Sequence, residues 1–159
     1  MKNERGIGIS RFTKEISTEI EIFAPAERIW EILMDFAAYP KWNPYIQEIS
    51  GDAEVGKKLK VYMKPEWEKK GTTLHPRILR LEPRKELTWK GSFFLPGVLD
   101  GEHSLILEET GTRRVRFIQK EIFNGLAIPI ITASWSIEEG TKRSFSEMNR
   151  ALKKKAEKF

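Results

Sequence analysis

ASWSIEEGTKRSFSEMNRALKKKAEK, residues 133–158, is the stretch on which the fold turns. Ile137, Thr141, Phe145, Met148 and Leu152 recur at steps of four and three. That spacing sets them on one stripe of a helix, with Glu138, Glu139, Lys142, Arg143, Glu147 and Arg150 mostly elsewhere. About 24 helical residues make a rod of roughly 36 Å, enough to cross a small domain. The stripe is uneven. Its first half carries Gly140, Thr141 and Ser144, and only its second half carries Phe145, Met148 and Leu152. A helix that grips its partner at one end and touches it sparingly at the other leaves room beneath it. A helix packed along its whole length on a solid core is the alternative.

Working outward from this helix, the preceding sequence reads as a meander. Strands are predicted near 46–51, 57–63, 73–82, 86–93, 101–109 and 114–123. Turn residues separate them: Gly51-Asp52, Gly71, Pro83-Arg84, Pro96-Gly97 and Gly111. Short connections of this kind join antiparallel neighbours. Further upstream, Ile16, Thr18, Ile20 and Ile22 alternate with Ser17, Glu19 and Glu21, the pattern of a strand with one buried face. Ala24-Pro25-Ala26 breaks that strand, and Pro25 suits a helix start. Ile29, Trp30, Leu33 and Met34 then form an apolar helix face, and one more turn fits before Pro40. The expected class is α+β: a curved seven-stranded antiparallel sheet wrapped around a long C-terminal helix, with two short helices after the first strand. Residues 1–13 are expected to form a flexible arm and 14–158 a single domain.

Composition narrows the function. Hydrophobic residues are 40% and charged ones 32%, the balance of a globular domain. The absence of cysteine removes disulfides and thiol chemistry. His75 and His103 are the only histidines, too few for a zinc site without cysteine, so no metal is expected. No cofactor fingerprint or phosphate loop occurs, so no cofactor is expected. The net charge of +5 comes from basic residues mixed with acids, except near the ends (Lys2, Arg5, Arg11, Lys14, then Lys153, Lys154, Lys155 and Lys158). No basic-aromatic motif accompanies them, so nucleic acid is not an expected partner. No apolar run approaches a membrane span, and Met-Lys-Asn-Glu-Arg does not lead into a signal-peptide core. A cytoplasmic location is the expectation. Transient contact with a membrane surface and the oligomeric state stay open.

One segment carries a resemblance. Asp35-Phe36-Ala37-Ala38-Tyr39-Pro40-Lys41-Trp42-Asn43-Pro44 is similar to the D-F-x-x-Y-P-x-W-N-P segment of the START and polyketide-cyclase-like (SRPBCC) superfamily. Ala24-Pro25-Ala26-Glu27-Arg28-Ile29-Trp30 resembles the helix that precedes it there. Asp100-Gly101-Glu102-His103 and Glu121-Ile122-Phe123-Asn124-Gly125 resemble strand motifs of its bacterial members. The resemblance spans about residues 14–156 and implies the helix-grip fold. Members include lipid carriers, hormone receptors, cyclases, dehydratases and chaperone-associated domains, so it does not choose a function.

Strand alternation supplies the candidate site. The inward sets are expected to be Leu59, Val61 and Met63, then His75, Arg77, Leu79 and Leu81, then Leu87, Trp89, Gly91 and Phe93. The last two strands add His103, Leu105 and Leu107, and Val115, Phe117, Gln119, Glu121 and Phe123. Of these, Val61, Met63, His75, Arg77, Leu79, Trp89, Phe93, His103, Leu105, Phe117, Gln119 and Glu121, with Trp42, Thr141 and Phe145, are expected to wall a ligand cavity. Its polar groups would be His75, Arg77, His103, Gln119 and Glu121. A carboxylate in such a place is costly unless paired or protonated. Glu121, His103 and Arg77 therefore have three readings: they orient a ligand, they move protons as acid and base, or they form a buried pair that pins the strand register.

Hairpin connections in a meander alternate between two ends. Ser50–Gly56, Pro83–Lys85 and Glu109–Arg113 are polar and share one end. Lys64–Thr72, Phe94–Gly101 and Asn124–Thr132 share the other. The latter group carries Trp67, Phe94, Leu95, Val98, Leu99, Leu126, Ile128 and Ile130, unusually apolar for surface loops. These residues are expected to be the entrance lid of the cavity, or alternatively a plug that closes that end. The leading functional expectation is binding of a small hydrophobic or amphipathic ligand, lipid-like or polyketide-like. A cyclase or dehydratase using the cavity's polar residues is the second reading. A ligand-free interaction module of the chaperone-associated type is the third.

Overall fold

In the computed structural model, which describes residues 12–65, 68–133 and 135–158, the alternating N-terminal segment is strand β1 (Thr13–Ile22). Pro25 then caps helix α1 (Ala26–Met34), which buries Ile29, Ile32 and Leu33 on one face. A 3-10 turn (Phe36–Ala38) and the short helix α2 (Tyr39–Trp42) follow. Among the described residues, eight strands make two antiparallel sheets. The first has the order β1-β8-β7-β6-β5, where β5 is Arg77–Glu82, β6 Glu86–Ser92, β7 Asp100–Gly111 and β8 Arg114–Asn124. The second has the order β2-β3-β4, where β2 is Ile46–Ser50, β3 Lys60–Met63 and β4 Thr72–Leu74. A bridge between Lys58 and Arg77 joins the sheets, flanked by bonds from Leu59 N to Pro76 O and from Ile78 N to Lys57 O. The helix α3 (Ile128–Ile131) precedes the long helix α4 (Trp135–Ala156).

The predicted strand 73–82 is where the structure departs from the expectation, and it raises the strand number from seven to eight. Pro76 has no N–H to give to a ladder, so the segment breaks at His75-Pro76 into β4 and β5. Leu74, Pro76 and Ile78 are the buried residues there. A bulge between Ile78 and Arg80 then reverses the parity, so that Leu81 packs on the core. His75, Arg77 and Leu79 consequently lie on the outer face. The Arg77 guanidinium donates to Gly56 O there. Of the expected N-terminal arm, residues 1–11 lie outside the described residues, and Thr13 and the rest of β1 pair with β8.

The helix α4 is held most firmly at its C-terminal half. Phe145, Met148, Leu152 and Ala156 are fully buried against the sheet. Arg28 of α1 donates to the carbonyls of Ala156, 2.8 Å, and Lys158, 2.8 Å, placing a cation on the helix C-terminus. Lys153 Nζ donates to Glu21 O at 2.8 Å, and Phe23 N donates to Glu157 Oε1 at 2.8 Å. Among its described residues, the first half of α4 buries the small residues Gly140, Thr141 and Ser144, and Ile137 is exposed. Among the described residues, no helix is long and apolar enough to cross a membrane.

Candidate functional site

Under that first half lies a pocket of about 400 Å3. Ile137, Glu138 and Thr141 of α4 form its roof, and Lys14, Ile16, Phe123, Phe93 and Met63 line the sheet side. Tyr45 enters from the segment before β2. Three connections close its mouth: Pro65, Glu68 and Thr72 after β3, Phe94 and Leu99 after β6, and Ile128, Ile131 and Thr132 after β8. These are the three connections that strand alternation sets at one end.

The last two connections behave as one piece. Leu126 N donates to Gly97 O at 3.1 Å and Ala127 N to Val98 O at 2.9 Å. Gly125, at φ 136°, permits this approach, because a Cβ there would run into the Val98 carbonyl. Leu99 and Ile128 point inward and are buried. Leu95, Leu126 and Ile130 point outward and are 71, 70 and 78% exposed, Phe94 stands at the rim with 74% exposed, and Val98 is half-buried. Four large apolar side chains thus stand in solvent beside the mouth of an apolar pocket. Trp67 lies outside the described residues.

Of the side chains expected on the cavity wall, Met63, Phe93 and Thr141 line this pocket. Val61, Trp89, His103, Leu105, Phe117, Gln119, Glu121 and Phe145 face inward as their strands and helix dictate, but they pack into solid core beside it. The Phe145 ring fills the space under the middle of α4, in contact with His103 and Tyr45. Trp42 is half-buried against Tyr39, ring centroids 5.1 Å apart, and does not line the pocket. The strand break described above leaves His75, Arg77 and Leu79 outside, so Arg77 does not meet Glu121.

The polar core residues form a directional chain. Gln119 Nε2 donates to Asn149 Oδ1 at 2.8 Å, and Asn149 Nδ2 donates to Thr18 Oγ1 at 2.9 Å. Gln119 Oε1 is then free to accept from His103 Nε2, 3.1 Å away. The other ring nitrogen, Nδ1, is hydrogen-bonded to the Glu121 carboxylate. The His103 ring stacks on Trp89 at 5.2 Å. His103 is 1% exposed and Glu121 4%, which seals the pair away from bulk water.

The pocket's own polar residues are a different set, and alternation did not single them out. Lys14 Nζ pairs with Glu138 Oε2 at 3.0 Å, and Lys142 Nζ reaches Glu138 Oε1 at 3.3 Å. The hydrogen bond from Lys14 pulls the Glu138 carboxyl below its ordinary range, with Lys142 adding to the effect. Thr132 and Thr141 spend their hydroxyl protons on the carbonyls of Ile128 and Ile137. Tyr45 was missed because it precedes the predicted strand. Its place after Pro44, as an aromatic with a polar tip, was the available signal.

A curved antiparallel sheet closed on a C-terminal helix, with an apolar pocket under the loosely held half of that helix, defines a helix-grip protein. The chain belongs to the family described as "Polyketide cyclase / dehydrase and lipid transport", whose model matches residues 13–157. None of the curated proteins matches it. Among solved structures it resembles the ZhuI aromatase/cyclase from Streptomyces sp. R1128, at TM-score 0.72 and 18% identity, covering 91% of this chain and 94% of that one. It also resembles a START superfamily protein from Mycobacterium smegmatis, at TM-score 0.70 and 17% identity, over 90 and 97% of the two chains. A hypothetical protein from Helicobacter pylori aligns at TM-score 0.73 and 14% identity, over 90 and 88%. At such identities the likeness is one of fold.

Proposed function

We propose that the protein binds a small hydrophobic or amphipathic molecule in the pocket beneath the first half of α4. The observation that carries this reading is the pocket with its rim. About 400 Å3 of largely apolar space falls within the roughly 300–1,000 Å3 typical of small-molecule sites. Its mouth is flanked by four exposed apolar side chains that a closed, filled domain has no use for. The paired loops 94–99 and 125–131 act as a lid, and the ligand enters between them and α4. The family's description, which includes cyclases and lipid transport, is compatible with a lipid-like or polyketide-like ligand.

Titration with N-phenyl-1-naphthylamine, an uncharged probe that brightens in apolar surroundings, tests the reading. One saturable site per chain is expected, and Thr141→Trp, which fills the roof of the pocket, should abolish it while the circular dichroism spectrum is retained. A fluorescence increase that stays linear with probe, or that Thr141→Trp leaves untouched, refutes it.

A further inference from the structure

Among the described residues, Tyr45 is the one deeply buried lining residue whose polar tip has nothing to do. Six described lining side chains are more than nine-tenths buried, and of these Tyr45 and Thr141 are polar. The Thr141 hydroxyl proton is spent on Ile137 O. The Tyr45 hydroxyl has no hydrogen-bond partner among the described residues. It is also not one of the side-chain atoms sealed from all space without a partner, which are Trp42 Nε1 and Asn43 Nδ2. The residue lines the pocket and its oxygen is not sealed off.

The residue is also held in place. Asn43 Oδ1 accepts from Tyr45 N at 3.0 Å and from Ile46 N at 2.9 Å, and Lys64 N donates to Tyr45 O at 3.0 Å. The ring leans on Phe145, centroids 5.7 Å apart. A fixed, unused hydroxyl in an apolar wall is the arrangement that orients a ligand. Burial pushes the Tyr45 phenol well above its ordinary range, and the carboxylates of Glu121 and Glu68 push it further, so it stays a donor. The same two carboxylates oppose an anion at this spot.

We propose, resting on the ligand-binding reading above, that the Tyr45 hydroxyl is the polar anchor of the pocket. It donates a hydrogen bond to an uncharged carbonyl oxygen carried by an otherwise apolar ligand. The ligand class is a neutral ketone or ester, not a free acid.

Three probes with one ring system separate the possibilities: 2-acetylnaphthalene, 2-ethylnaphthalene and 2-naphthoate, titrated calorimetrically into the native protein and Tyr45→Phe. The substitution should weaken the ketone about three- to tenfold, as loss of one neutral hydrogen bond does, and leave the ethyl compound within about twofold. Naphthoate should bind the native protein more weakly than the ketone. The infrared carbonyl band of bound 2-acetylnaphthalene should lie at lower wavenumber in the native protein than in dry alkane. That measurement needs no variant. A band that does not shift, equal weakening of both neutral probes by Tyr45→Phe, or naphthoate binding tightest overturns the anchor and leaves ligand binding standing. No saturable binding of any of the three removes both.

Discussion

Gly101 of β7 has no side chain because the Glu121 carboxylate of β8 stands where its Cβ would be. The Phe93 ring crowds the same point from the other side. The missing methyl group thus lets a buried carboxylate and a pocket-lining aromatic share one place. Gly101→Ala should push Glu121 off His103 and Phe93 toward the pocket. A loss of about 1–3 kcal/mol is expected, as for other overpacked sites, measured by urea denaturation. A variant as stable as the native protein would mean that the carboxylate moves aside at no cost.

Glu121 itself is predicted to be structural. It is hydrogen-bonded to His103, whose far nitrogen is committed to Gln119 and through it to Asn149 and Thr18. This chain ties β1, β7, β8 and α4 together. Glu121→Gln replaces a charge-assisted contact with a neutral one and should cost about 1–3 kcal/mol. Thermal melts, with naphthylamine binding measured alongside, check it. Unchanged melting with altered binding would instead make Glu121 a ligand contact.

The buried half of the C-terminal helix gives a third test. Phe145 and Leu152 are fully buried. Each truncation to alanine should cost about 2–5 kcal/mol. Losses below about 0.5 kcal/mol at both sites would contradict the packing of α4 against the sheet.

Much of this was legible in the sequence, and the exceptions are specific. The stripe from Thr141 to Leu152 located the helix face, while its small, polar first half left a space beneath and a solid packing both open. Period-two alternation put His103, Gln119 and Glu121 on the inner face, where they are. It could not tell an inner face that walls a pocket from one that is packed solid, because that depends on how far the Phe145 ring reaches. On 73–82 the alternation failed outright. Pro76 interrupts the ladder and a bulge follows within three residues, so counting by twos across both placed Arg77 and His75 on the wrong side. Tyr45 escaped for a related reason: its direction is set by the Asn43 turn and not by a strand.

The proposed lid makes its own demand on the two apolar loops. The loops 94–99 and 125–131 are cross-linked through Gly97, Val98, Leu126 and Ala127, and the close approach exists only because residue 125 is glycine. Two loops bonded in this way are expected to move together. Their outer apolar groups gain nothing from the closed state, whereas Leu99 and Ile128 touch the pocket and gain contacts when it is filled. A bound apolar ligand should therefore slow amide exchange in residues 94–100 and 124–132 together, and leave 51–56 and 109–113 at the opposite end unchanged. Gly125→Ala, which drives a methyl group into the Val98 carbonyl, should uncouple the two segments, so that ligand protects one of them less than the other. Protection that appears instead at 51–56 and 109–113 would put the entrance at the polar end and exclude this lid.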